Sequence, residues 1–183
     1  KKEKLILPFK TPNKICNPSI YAKTAKDRVT TFFGGGNIIK KDLILSFGGF
    51  ESSLMWSADW FLYQLIGFTE KVYITEEFFM TIKTKNDSFS QNLLNWEHNK
   101  VLITNFFNLI LGKHSKHFDF FKSASILPFY DFRILILLLK NKEFRKIITP
   151  LLIWRLLTYN IFKKLNNIVP KNWHIFIRKF IKV

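Results

Sequence analysis

The spacing of apolar residues changes near residue 90, and the two sides of that point predict different elements. Before it, short β-prone runs alternate with short helical stretches, which is typical of α/β proteins. The predicted strands lie at 30–33, 37–40, 72–74 and 76–82, and the predicted helices at 41–46 and 56–66. The first 30 residues are polar and interrupted by prolines, so they predict extended loop.

Beyond residue 90 the apolar residues recur at helical spacing. The predicted helices lie at 93–111, 129–139, 142–161 and 165–183, and the last of them is broken at Pro170. The first of them should end at Gly112. On a helical wheel of 161–183, apolar side chains occupy one side and basic side chains the other. The pattern therefore predicts an α/β domain over 1–92 and an all-helical basic tail over 93–183.

Charge is distributed unevenly along the 183 residues, whose formal net charge is +16. Residues 1–50 carry +7 (ten basic, three acidic), 51–92 carry −3 (three and six) and 93–183 carry +12 (sixteen and four). Such blocks are often only solvated faces, but the basic tail is also the most apolar part of the chain. That combination favours an anionic membrane surface over nucleic acid as its partner.

The strongest candidate for a membrane span, 147–162, is too short to cross a bilayer. It has 16 residues where a span needs about 20, and it contains Pro150 and Arg155. A central arginine would cost about 3 kcal/mol on insertion. We therefore expect a helix that is buried or rests on the membrane, in a protein peripheral to the cytoplasmic face of the cell membrane.

Residues 34–92 contain several short motifs in a characteristic order. They are Gly34-Gly35-Gly36, Lys40-Lys41, Gly48-Gly49-Phe50-Glu51, Ser57-Ala58-Asp59-Trp60, and Ile82-Lys83-Thr84-Lys85 leading to Ser88-x-Ser90. In this order and spacing the stretch resembles the second half of the catalytic domain of family 2 glycosyltransferases. The resemblance implies a partial GT-A, Rossmann-like fold. It also implies transfer of a sugar from a nucleotide-sugar donor to a glycan or lipid-linked acceptor in surface polysaccharide or glycolipid synthesis.

Asp59 matches the position of the family's catalytic base. An inverting transferase needs a carboxylate that takes the proton from the attacking acceptor hydroxyl. Asp59 lies at a predicted helix start between Trp56 and Trp60, whose aromatic faces suit sugar rings, and we include both tryptophans among the candidate substrate-binding residues. The alternative is an aspartate that only caps the helix.

Four further residues are candidate substrate contacts. The resemblance implies that Gly35 and Gly36 lie beside the acceptor, although the glycine triplet also fits a flexible turn before a strand. Lys83 and Lys85 stand where the family often has Arg-x-His. A charged lysine cannot bind a divalent cation but can pair with a phosphate. Glu51 is as compatible with a structural role as with a functional one.

Donor binding cannot be built from these residues. The chain contains no Asp-x-Asp motif, and 1–33 is too short for the family's nucleotide-binding half. The complete enzyme is expected to use a divalent metal, Mn²⁺ or Mg²⁺, and we expect none on this chain. His114 and His117 stand three apart, but apart from Asp119 no Cys, Asp or Glu provides a convincing closing pair of ligands for them, for His98 or for Cys16. We therefore expect a fragment of a longer enzyme, inactive by itself.

Two other functions fit the same residues. Charge and aromatic content allow a non-catalytic module that binds a membrane or a nucleic acid, although no recognisable motif interleaves basic and aromatic residues. A degenerate scaffold left by gene truncation is the other alternative. We favour the transferase, with a membrane surface as a partner and no nucleic acid.

Overall fold

Residues 14–27, 37–74 and 95–165 are described by the computed structural model of the chain. The strands are β1 (Lys14–Cys16) and β2 (Val72–Ile74). The helices are α1 (Pro18–Asp27), α2 (Lys41–Ser46), α3 (Ala58–Thr69), α4 (Trp96–Leu111), α5 (Phe118–Ala124), α6 (Phe132–Lys140) and α7 (Pro150–Leu165). Short 3₁₀ segments precede α3, α5 and α7, at Ser52–Ser57, Ser115–His117 and Phe144–Ile147.

The α/β, Rossmann-like fold class predicted for the first part of the chain is wrong. The described residues are mostly helical, and their two strands form one antiparallel pair with Ile15 opposite Tyr73. A Rossmann-like half needs parallel strands joined by helical crossovers, which an antiparallel pair cannot provide. Residues 37–40, a predicted strand, form none, and the predicted strands at 30–33 and 76–82 lie outside the described residues.

Helix α1 occupies residues for which the sequence predicted a loop. The Asn17 side-chain oxygen accepts the backbone N–H of Ile20 at 3.0 Å, and Pro18 stands at the first helical position. Asparagine is a favourable N-cap, and proline is tolerated at this position because its missing N–H would have no partner within the helix. The prediction failed because Pro18 starts a helix instead of interrupting one.

Elements with local signals agree with the prediction. The predicted helix at 41–46 and strand at 72–74 are confirmed as α2 and β2. Helix α4 starts after Asn95, whose side chain accepts two N–H groups of the first turn, and it ends at Gly112 as predicted. Local caps therefore define these elements independently of the rest of the fold.

Three other predicted helices have different limits. The helix predicted at 56–66 is α3, which starts later because a 3₁₀ segment precedes it, and the one at 129–139 is α6, which starts after the capping Asp131. The helix predicted at 142–161 is divided, because Pro150 can start a helix but cannot continue one. Most of the helix predicted at 165–183 lies outside the described residues.

One hydrophobic core joins α3, α4 and α5. Phe61 of α3 stacks on Phe121 of α5 with ring centroids 5.5 Å apart, and Phe68 stacks on Phe120 at 5.2 Å. Phe106 of α4 contacts Phe61 edge-on at 5.9 Å. This core takes residues from both sides of the predicted boundary at residue 92, and the division into two domains stays a prediction.

Buried Arg155 of α7 links the ends of two other helices. Its guanidinium donates to the carbonyl oxygens of Ala25 (3.0 Å) and Lys26 (2.8 Å) in α1, and to those of Ala124 and Ser125 (3.0 Å for Ser125) at the end of α5. Carbonyls at a helix C-terminus lack partners within the helix and carry partial negative charge, so a cation suits them.

Among the described helices, none combines the length and apolar content needed to span a membrane.

Candidate functional site

The chain leaves α2 through a glycine turn that leads toward Asp59. Gly48 and Gly49 have φ angles of +85° and +77°, which glycine adopts without the steric cost of a Cβ. Their N–H groups donate to the carbonyl oxygens of Leu45 (2.9 Å) and Ile44 (3.0 Å), so they satisfy the last turn of α2. The two glycines therefore set the direction in which the chain continues.

Glu51 fastens this turn to the end of α4. Its Oε1 accepts hydrogen bonds from His114 Nε2 at 3.0 Å and from the Lys113 ammonium group. Burial alone would raise the pKa of Glu51, but the hydrogen bonds and charges of His114 and Lys113 outweigh burial and hold that pKa below its ordinary value. Glu51 is therefore a charged anchor between the glycine turn and α4.

The backbone immediately before α3 is strained. The 3₁₀ segment Ser52–Ser57 contains Met55 at φ 50° and ψ −122°, a conformation that residues with a Cβ rarely adopt. Leu54 is fully buried beside it, and the Ser57 hydroxyl donates to the Leu54 carbonyl at 2.9 Å. Such a conformation costs about 1–3 kcal/mol and is found most often at functional sites.

Asp59, the candidate base, is the second residue of α3 and is half-buried. Its Oδ1 accepts the backbone N–H of Trp60 at 2.6 Å. A carboxylate in the first turn of a helix is stabilised by unpaired N–H groups and the helix dipole, so a structural aspartate would make the same contact. Within the described ranges no donor bonds to Oδ2. Burial raises the pKa of Tyr63, one turn further along, and the charge of Asp59 raises it again.

Two tryptophans flank this carboxylate. Trp56 packs against Phe129 and Trp60 against Phe106, each pair with ring centroids 6.1 Å apart. Both tryptophans stay partly exposed, so each has surface that could meet a ligand. Of the predicted site residues, Trp56, Asp59 and Trp60 therefore lie together at the start of α3.

The other predicted substrate contacts are Gly35, Gly36, Lys83 and Lys85, and all four lie outside the described residues. Their positions relative to Asp59 stay predictions. The described part of the candidate site therefore consists of one carboxylate and two aromatic rings.

A polar cluster beside the glycine turn had no signal in the sequence. A shallow depression of about 260 Å³ lies between the ends of α2 and α4, and its lining residues are Ser46, Phe47, Gly48, Lys113, His114 and Lys116. Glu51 and His114 meet there although 63 positions separate them along the chain. No local spacing predicts a contact over that separation.

The two neighbouring histidines, His114 and His117, are both buried. In the part of the chain that the structure describes, no three His, Cys, Asp or Glu side chains gather around one point. His117 is buried, and its ring centroid lies 6.2 Å from that of Phe47 and 6.5 Å from that of Phe120. The Nε2 atom of His117 has no hydrogen-bond partner among the described residues. Burial lowers the pKa of His117, and the charges of Lys116 and His114 lower it further.

Comparison with known proteins found no matching family model, no matching curated protein and no matching solved structure. The resemblance of residues 34–92 to family 2 glycosyltransferases therefore rests on its motifs alone. A function for this chain has to be tested through the side chains at the start of α3.

Proposed function

We propose that this chain contributes the acceptor-activating part of a glycosyltransferase, with Asp59 as general base. The observation that carries the proposal is a half-buried carboxylate at a helix start, flanked by Trp56 and Trp60 and preceded by the strained Met55. Backbone strain and partly exposed aromatic rings beside a carboxylate are typical of sites that bind ligands. The motif order of residues 34–92 supports the same role.

The reaction needs one proton acceptor at this position. The acceptor hydroxyl oxygen attacks the anomeric carbon of the nucleotide-sugar, and the bond from that carbon to the nucleotide diphosphate breaks. The diphosphate leaves with the bonding electrons, while the hydroxyl proton passes to Asp59 Oδ2. The Trp60 N–H holds Oδ1 in place during this step. Trp56 and Trp60 offer aromatic faces on which the sugar rings of the acceptor can pack.

The described residues do not fit a divalent metal, because they gather no set of three ligands. A metal that neutralises the leaving diphosphate would need other residues. The proposal therefore assigns acceptor chemistry alone to the start of α3. The acceptor itself, a glycan or a lipid-linked sugar at the cytoplasmic membrane surface, is proposed on the sequence resemblance.

Turnover of a nucleotide-sugar and an acceptor tests the role of Asp59. We expect Asp59→Asn to lower kcat about 10²- to 10⁴-fold, because a neutral amide cannot take the proton. Asp59→Glu should keep part of the activity. Asp42→Asn is the matched control, since Asp42 is also an acidic residue in the first turn of a helix but is exposed. It should turn over like the wild type.

Release of the nucleotide diphosphate measures turnover, and circular dichroism verifies the fold of each variant. If Asp59→Asn keeps native helicity and more than a third of the wild-type kcat, Asp59 is not the base. If its helicity falls together with its activity, the aspartate serves α3 as a cap instead.

A further inference from the structure

Helix α6 exposes a row of large apolar side chains. Phe132, Ile136 and Leu139 are 43%, 45% and 52% exposed. Their spacings of four and three residues place them on one face of the helix. The same helix buries Ile134 and Leu138 completely in the core. Helix α6 is therefore apolar on its solvent side as well as on its core side.

Helix α7, which packs against α6, repeats this arrangement. Trp154, Leu157 and Ile161 are 57%, 40% and 54% exposed, at spacings of three and four residues. Leu152 and Leu156 of the same helix are buried. An ordinary surface helix carries polar residues on its outer face, and neighbouring rows of exposed apolar side chains mark an interaction surface.

Basic residues adjoin these two rows. The end of α6 and its connection to α7 carry the exposed residues Lys140, Lys142, Arg145 and Lys146. Arg145 Nε donates to the carbonyl oxygen of Leu139 at 2.8 Å, which holds the guanidinium at the end of the α6 row. Residues 129–161 contain six basic and two acidic side chains, and of the six only Arg155 is buried.

We propose that the two apolar rows and the basic connection form a docking face for an anionic lipid bilayer. Acyl chains would cover the apolar side chains, and anionic headgroups would pair with the basic ones. A nucleic acid would leave the apolar rows in water. An uncharged protein surface would offer no anionic group to the basic residues, of which Lys146 already pairs with Glu143. Trp154 lies in one row, and tryptophan favours the boundary between acyl chains and water.

The docking face differs from the basic face predicted for 161–183, and it does not depend on a catalytic role for Asp59. The first and last side chains of each row are seven positions apart, about 10 Å along the helix axis. That length suits a helix that lies in the plane of the interface. The α6–α7 pair would therefore rest on the bilayer without crossing it.

Sedimentation of the full chain with lipid vesicles tests the docking face. Vesicles of phosphatidylcholine alone are compared with vesicles containing about 30% phosphatidylglycerol. Binding is measured at about 50 mM and about 500 mM NaCl. We expect the anionic vesicles to bind the chain more tightly. At high salt the affinity should weaken without vanishing, since salt screens charges but leaves apolar burial in place.

A double variant in the apolar rows separates this surface from the rest of the chain. Ile136→Gln combined with Leu157→Gln should weaken binding about tenfold or more at both salt concentrations. Ile20→Gln combined with Val101→Gln is the matched control, because these two side chains, on α1 and α4, are each 49% exposed. The control should bind like the wild type. All four positions are on the surface, so both variants should fold.

A second double variant tests the basic connection. Lys142→Gln combined with Lys146→Gln should remove part of the salt-sensitive binding and leave the affinity at high salt unchanged. Equal affinity of the row variant and the wild type would overturn the proposal, and so would equal affinity of the wild type for both kinds of vesicle. A third outcome would also overturn the proposal: the wild type does not bind vesicles but self-associates, and the row variant is monomeric. The exposed face would then be a contact between two copies of this chain.

Discussion

Glu51 and His117, which both lie beside His114, make the folded state sensitive to acid for different reasons. Burial would raise the pKa of Glu51, but hydrogen bonds from His114 and Lys113 outweigh it and lower that pKa. The ionised Glu51 side chain stabilises the folded state at pH values above its unfolded pKa of about 4.5. This stabilisation is lost as the pH falls through the lower pKa that Glu51 has in the folded state. His117 has a lowered pKa because burial disfavours its charged form.

We expect acid to destabilise the protein first through His117. The unfolded chain takes up a proton on His117 near pH 6.5, whereas the folded chain takes it up only at lower pH. The free energy of unfolding therefore falls as the pH drops below about 6.5. In His117→Phe the free energy of unfolding should depend less on pH between about 7.5 and about 5.5. The reduction in slope is at most one proton, about 1.4 kcal/mol per pH unit. Urea unfolding over this pH range measures it.

Phenylalanine keeps an aromatic ring beside Phe47 and Phe120, so His117→Phe changes the titration more than the packing. His98→Phe is the control, because His98 is exposed in the first turn of α4. Its slope is measured alongside that of His117→Phe. Equal slopes in the wild type and in His117→Phe would show that His117 does not titrate with unfolding.

At the scale of elements, Arg155 couples three helices through one side chain. We expect Arg155→Met to lower the free energy of unfolding by about 3 kcal/mol or more, because buried carbonyl oxygens of α1 and α5 lose a charged donor. Arg155→Lys keeps the charge but supplies fewer donors in a different geometry, so it should be intermediate. The midpoint and slope of urea unfolding give these values.

Arg145→Met provides the comparison, since it removes an exposed arginine that makes one hydrogen bond to a backbone carbonyl. Its effect should stay below about 1 kcal/mol. An Arg155→Met variant as stable as Arg145→Met would mean that water replaces the guanidinium at both helix ends. In that case the coupling of α7 to α1 would be weaker than the geometry indicates.

Elements could be predicted where their signals are local, and not where tertiary contacts decide. Helix α2 ends at glycines with positive φ and α4 ends at Gly112, so both limits follow from the sequence. Helix α1 also starts at a local signal, Asn17 before Pro18, and the prediction missed it because it took the proline as a loop signal. The packing of α1 has no such signal in the sequence. The helix packs on α3 at Gly67, where an added Cβ would lie 2.3 Å from the Tyr21 ring, and the Tyr21 hydroxyl donates to Gln64 Oε1 at 2.6 Å. Only the fold shows why that glycine is needed.

The same distinction applies to the candidate site. Trp56, Asp59 and Trp60 are neighbours in the chain, so a local motif was enough to bring them together as candidates. The anchor of Glu51 on His114 depends on how α4 packs, and the sequence left the role of Glu51 open. The α/β prediction failed for a related reason: short β-prone runs do not specify which strands pair, and the described strands pair antiparallel.

At the scale of the whole molecule, charge and packing divide the chain differently. The net charge changes from −3 over 51–92 to +12 over 93–183. The hydrophobic core spans that change in charge. The rings of Phe61 and Phe68, from the acidic stretch, pack against side chains of α5, from the basic stretch. Side chains of the basic tail and of the acidic part of the chain therefore pack in one core, even though the two parts differ in net charge.

The shared core should make the two sides of residue 92 depend on each other for folding. We expect the fragment 93–183 to lack a cooperative thermal transition by near-ultraviolet circular dichroism, because Phe106 and Phe121 would lose their contacts with Phe61. Arg155 would also lose its acceptors in α1. Adding an equimolar amount of the fragment 1–92 should restore the transition, since it supplies the missing half of the core. A sharp transition in 93–183 alone would contradict a shared core and favour two domains that fold independently.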